Sequence, residues 1–81
     1  MLEELKAGPR VVGAKQTRRA LADGRAQRVY LAEDADPGVT EPIEELAKTH
    51  GVEVFKASAM KEMGTACGIA VGAAVAAVVK A

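Results

Sequence analysis

Eighty-one residues suffice for one domain, residues 1–81, and leave no room for a second core or an inserted catalytic lobe. Apolar residues make up 49% of the chain, which excludes an intrinsically disordered polymer. Eleven basic and eleven acidic residues cancel, so net charge alone points to no polyanionic partner.

The charges are unevenly distributed. Residues 1–28 hold seven bases and three acids, residues 29–53 one base and seven acids, so the chain has a basic beginning and an acidic middle. Seventeen alanines and ten valines stand against one Phe, one Tyr and no Trp, which implies a core of small side chains with helices lying close to a sheet. Cys67 is the only cysteine. It cannot form an internal disulfide, which suits a reducing cytoplasm, and Ala66-Cys67-Gly68 reads as a packed apolar site, not a nucleophile.

In chain order, Leu2 and Leu5 fit a short helix that stops at Gly8-Pro9, and Arg10-Val11-Val12 reads as a short strand closed by Gly13. Residues 15–23 form a helix with Ala20 and Leu21 inward and Asp23-Gly24 as its stop. A strand runs from Arg28 to Glu33, and Asp34 to Gly38 forms a turn. Thr40 is expected to cap the next helix, with Glu41 and Pro42 in its first turn and Glu44 and Glu45 beside the positive end of its dipole. Ile43, Leu46 and Ala47 supply the stripe of that helix, and Gly51 ends it. A strand over 52–56, a helix over 58–66 capped by Ser58 with Met60 and Met63 inward, and a strand over 72–79 complete the series. The order α-β-α-β-α-β-α-β predicts a three-layer α/β/α sandwich around a four-stranded mixed sheet. The uncharged run from Ala66 to Val79 is too short to cross about 30 Å of hydrocarbon as a helix and is read as a buried strand with its approach loop. Met1-Leu2-Glu3-Glu4-Leu5-Lys6 lacks the apolar stretch of a signal peptide.

Catalytic and metal-binding patterns fail one by one. Gly8 to Thr17 imitates a phosphate-binding loop, but Ala14 separates Gly13 from Lys15, Gln16 separates Lys15 from Thr17, and the strand lies inside the supposed loop. Asp34 and Asp36 sit in a turn, where backbone hydrogen bonds explain them, and the rest of a calcium loop is missing. His50 suits the last turn of its helix and has no metal-ligand neighbours, and Ser58 has no histidine placed beside it. These residues imply neither an enzyme nor a bound metal or cofactor.

The chemistry that remains lies in Gly13-Ala14-Lys15-Gln16-Thr17-Arg18-Arg19. A glycine ends a strand, a helix begins at once, and its first turns carry a long cation, an amide and two guanidinium groups. Free N–H groups and the dipole at such a helix start favour phosphate, and Lys15 and Gln16 suit guanine edges. With only Tyr30 and Phe55 as aromatics, a base-stacking platform is out of reach unless both face outward. Regular duplex RNA hides its base edges, so the pattern suits RNA whose groove is opened by an internal loop or bulge.

At these residues the chain resembles the ribosomal protein L7Ae family, with its L30e relatives, and especially its small bacterial members. Val12 to Leu21 is similar to the start of the family's RNA-recognition helix, Leu31 to Pro37 to its central strand and turn, and Met63 to Val71 to its final helix and specificity loop. The resemblance implies the α/β/α sandwich and a kink-turn ligand, a helix–bulge–helix RNA with tandem sheared G·A pairs. It implies RNA contacts from Gly13, Ala14, Lys15, Gln16, Arg18 and Arg19, and from Ile69, Ala70 and Val71 packing on the flipped-out bulge nucleotides. Lys15 and Gln16 stand where the family usually has Asn and Glu, so this chain gains a positive charge and drops a negative one beside RNA. Arg19 matches a family Lys, and Ala70 stands where a Glu is often found. The expectation is a cytoplasmic, monomeric protein that captures the bent form of a structured RNA, on the ribosome or elsewhere, with no membrane association. The competing reading is a protein-interaction module of the same fold, docking through the acidic helix over 40–50.

Overall fold

The computed structural model describes residues 3–69 and 71–80. Eight elements alternate: α1 (Glu3–Ala7), β1 (Arg10–Val12), α2 (Ala14–Ala22), β2 (Ala26–Ala32), α3 (Pro37–Thr49), β3 (Glu53–Ser58), α4 (Met60–Ala66) and β4 (Val75–Val79). The sheet order is β1-β4-β2-β3. β4 lies antiparallel to β1 and to β2, whereas β2 and β3 run parallel, so the sheet is mixed, as the sequence predicts.

Alternation along the strands sorts the core into two layers. Val29, Leu31, Val75, Ala77 and Val79 face α2 and α3, where they meet Ala20, Leu21, Ile43 and Ala47. Tyr30, Ala32, Ala76 and Val78 face the other side, with Leu5 of α1, Met63 and Ala66 of α4 and Cys67 at its end. Every residue of β4 is buried, which is why this central strand reads as an uninterrupted apolar run. Five residues are too few for a self-sustaining helix. Fully buried Leu5 therefore holds α1 in place, at about 2 kcal/mol of hydrophobic stabilisation. Tyr30 and Phe55 are register partners and stack with ring centroids 5.5 Å apart, so both aromatics serve packing and form no outward platform.

Besides shifts of one or two residues at the ends of α2, β2 and β3, three boundaries differ from expectation. α3 begins at Pro37, not at Thr40: Asp36 is its N-cap and accepts from the Gly38 N–H at 2.8 Å. Pro42 consequently lies inside the helix, and Glu44 sits well past the first turn, bridging Lys48 at 3.9 Å and Lys56 at 3.2 Å. Ser58 ends β3 and is not the cap of α4, whose N-cap position is Ala59. β4 starts at Val75, since 72–74 belong to the preceding loop.

Candidate nucleic-acid interface

Gly13 joins β1 to α2 with φ +96°, a left-handed backbone that a side chain would strain. Its N–H donates to the Val75 carbonyl at 2.8 Å, and its carbonyl accepts from Thr17 N–H at 3.0 Å. One residue thus ties the start of α2 to the start of β4 and sets the first helical turn. Having no side chain, it caps nothing, and the first turn holds no acid. The N-terminal N–H groups of α2 therefore stay available at the positive end of the dipole.

α2 buries Ala20 and Leu21, as expected, and also Thr17, and it exposes Lys15, Gln16, Arg18 and Arg19. Lys15, Arg18 and Arg19 recur at i, i+3 and i+4, so like charges share one surface and cost a few tenths of a kcal/mol per pair. Arg25 is paired with Asp23 at 3.6 Å, and Lys48 and Lys56 share Glu44, whereas among the described residues no carboxylate neutralises Lys15, Arg18 or Arg19. An anionic ligand would relieve that repulsion.

The loop after α4 leads the second block into Val75, the residue whose carbonyl holds the Gly13 N–H at the start of α2. Gly68, at φ +76°, turns the chain back, and Ile69 N–H donates to the Gly64 carbonyl at 3.0 Å. Ala73 N–H donates to the Met60 carbonyl at 2.9 Å, so the loop retraces α4 from its end to its beginning. Two glycines permit this approach. A Cβ at Gly64 would strike the Val71 carbonyl oxygen, and one at Gly72 would come within 3.0 Å of Met60 Cβ. The loop then enters β4 next to Gly13, and Ala32 N–H bonds the Ala74 carbonyl at 2.9 Å. Val71 is 71% exposed and Ile69 36%, two aliphatic side chains turned to solvent. Ala70, the third residue expected in this loop, lies outside the described residues.

Sequence reasoning missed the residues that hold this loop. Arg10 Nη2 and Nε donate to the Cys67 carbonyl at 2.8 and 3.1 Å, capping the end of α4. Asp34 Oδ1 accepts from Met60 N–H at 2.8 Å, capping its beginning from 26 residues away. Burial pushes the Cys67 thiol above its ordinary value, opposed by the nearby Arg10 charge, so the thiol stays protonated at neutral pH. Among the described residues no three His, Cys, Asp or Glu side chains are placed to hold a metal ion. A groove of about 480 Å³ between α1 and α4 is lined by Lys6, Lys61, Glu62, Thr65 and Ala66, and the Thr65 hydroxyl already donates to the Lys61 carbonyl. Among the described residues no helix is long and apolar enough to cross a membrane.

Residues 2–81 match the model of the ribosomal protein L7Ae/L30e/S12e/Gadd45 family. The chain is 50% identical over 76 residues to an RNA-binding protein of Geobacillus sp., covering 94% of this chain and 93% of that one. It is 40% identical over 70 residues to the large ribosomal subunit protein eL8 of Halobacterium salinarum, covering 85% of this chain and 58% of that one. Among solved structures, the 15.5kD RNA-binding protein of Giardia lamblia superimposes with a TM-score of 0.92 at 26% identity, covering 99% of this chain and 71% of that one.

Proposed function

We propose that this chain, which belongs to the ribosomal protein L7Ae/L30e/S12e/Gadd45 family, is an RNA-binding protein that recognises kink-turns through the start of α2 and the loop after α4. The observation that carries the reading is the unneutralised set Lys15, Arg18 and Arg19 around an uncapped helix start, beside a loop that exposes Ile69 and Val71. Relatives described as RNA-binding proteins over nearly their whole length support the coarser half.

The division of labour follows from the chemistry. Backbone N–H groups of Ala14, Lys15 and Gln16 and the cations of α2 attract phosphate, while Lys15 and Gln16 reach guanine edges of the G·A step. Aliphatic Ile69 and Val71, with Ala70 between them, cover unstacked bulge bases that would otherwise lie in water. A surface complementary only to the bent RNA shifts its population toward that form without any chemical step. The protein acts as a single domain and a monomer in the cytoplasm, on ribosomal or other structured RNA.

The test is a triple variant, Lys15→Ala, Gln16→Ala and Arg19→Ala, titrated against a kink-turn RNA at fixed salt. All three side chains are exposed, so circular dichroism is expected to match the parent protein while RNA affinity falls by at least about a hundredfold. Undiminished affinity in a folded variant would move the interface elsewhere.

A further inference from the structure

Two acids in Asp34-Ala35-Asp36 cap two different helices. Asp36 serves α3 locally through Gly38 N–H, whereas Asp34 reaches across the fold to Met60 N–H at 2.8 Å. α4 needs this help because its own N-cap position is Ala59, which offers no side-chain acceptor. Met60 is also where the loop is fastened: its carbonyl holds Ala73 N–H at 2.9 Å, and its Cβ abuts Gly72. At the far end of α4, Arg10 grips the Cys67 carbonyl immediately before Gly68. The helix is thus held at both ends, and the loop is hung on it between those two anchors.

We propose that Asp34 is a positioning residue for RNA recognition: by holding Met60 against the β2–α3 turn it sets where the loop with Ile69 and Val71 stands relative to the start of α2. The proposal rests on the RNA-binding reading above. Its sign separates it from simple charge effects. Asp34 is exposed, and removing a negative charge near a polyanion strengthens binding by Coulomb attraction. Loss of the anchor acts in the opposite direction, because only the fraction of molecules with the loop in place binds well.

Three variants separate acceptor from charge. Asp34→Asn keeps an oxygen at the Met60 N–H and loses the charge. Asp34→Glu keeps the charge and displaces the oxygen. Asp34→Ala loses both. At a temperature where all are folded by circular dichroism, Asn is expected to bind kink-turn RNA as tightly as the parent or better. Glu and Ala are expected to bind more weakly, by up to about fivefold, the ceiling that the loss of a helix cap sets. In combination with Val71→Ala the Asp34→Ala loss is expected to shrink, since both act through the same loop, whereas a general loss of stability would simply add. Amide exchange gives a readout free of RNA: Ala73 N–H should exchange faster in Asp34→Ala than in Asp34→Asn. Equal binding by Asn and Glu, or unchanged exchange at Ala73, would overturn the proposal. Failure of the parent protein to bind the RNA would instead overturn the functional reading, with the exchange comparison still judging the anchor.

Discussion

Gly64 gives the sharpest stability prediction, because two effects of one methyl group oppose each other. Replacing a helical glycine by alanine ordinarily stabilises by about 1 kcal/mol through backbone entropy. Gly64, however, is buried in α4 with the returning loop laid across it. An added Cβ would strike the Val71 carbonyl oxygen and lie 3.0 Å from Val71 C and 3.1 Å from Gly72 Cα. These are backbone atoms, so no rotamer change relieves the contact. The loop must retreat, at about 1–3 kcal/mol for overpacking, and the bond from Ile69 N–H to the Gly64 carbonyl, another 1 kcal/mol or about that, weakens with it. The balance for Gly64→Ala is a net loss of about 1–3 kcal/mol, or a Tm lowered by about 5–15 °C in a domain of this size. Thermal unfolding followed by circular dichroism reads it directly, and affinity for RNA should fall in the same variant because the loop has moved. A raised Tm would show helix propensity acting unopposed and would refute the close packing of loop on helix.

Other outcomes follow from single side chains. Arg19→Ala should lower RNA affinity and flatten the dependence of log K on log salt by about 0.7–0.9 if one phosphate contact is lost; an unchanged slope would exclude Arg19 from that role. Thr17 is fully buried, and its hydroxyl has no hydrogen-bond partner among the described residues, so Thr17→Val should raise stability by about 1 kcal/mol, and a lowered Tm would mean the hydroxyl is satisfied in solution. Cys67 should resist thiol reagents in the native protein and react on unfolding in urea. Its raised folded pKa also contributes stability that is fully present below the ordinary thiol value of 9.0 and declines as pH rises above it, which denaturant titrations at pH 8 and 10 would reveal.

The layering and the start of α2 were legible because their signals are local. Strand alternation, the glycine before α2 and the cations after it all lie within a few residues of one another. Local sequence puts the start of α3 at Thr40 because Pro42 looks like a first-turn residue, whereas the helix begins at Pro37. The stronger pair is Asp36-Pro37, a capping acid followed by proline at the first helical position, and the folded chain tolerates Pro42 in the interior. The same local logic gives the cap of α4 to Ser58, yet it comes from Asp34, and no pattern in a window of sequence reports a partner that far away. Sequence alone puts Gly72 in β4 as a strand residue. It is needed instead for the close approach to Met60, a tertiary contact that shortens the strand to Val75–Val79. The tightness of the loop against α4 likewise depends on Gly64 and Gly72, which sequence alone presents as two unremarkable glycines.

In the proposed function the start of α2 and the loop after α4 together select a bent RNA. The measurement that tests it most directly is titration of the protein into a kink-turn RNA labelled with a donor and an acceptor at its two helix ends. A twin in which Watson–Crick pairs replace the G·A pairs is run at the same salt. Tight binding and a rise in energy transfer are expected for the first RNA, and neither for the twin. Equal weak binding to both, with no change in transfer, would contradict it and leave only an electrostatic surface.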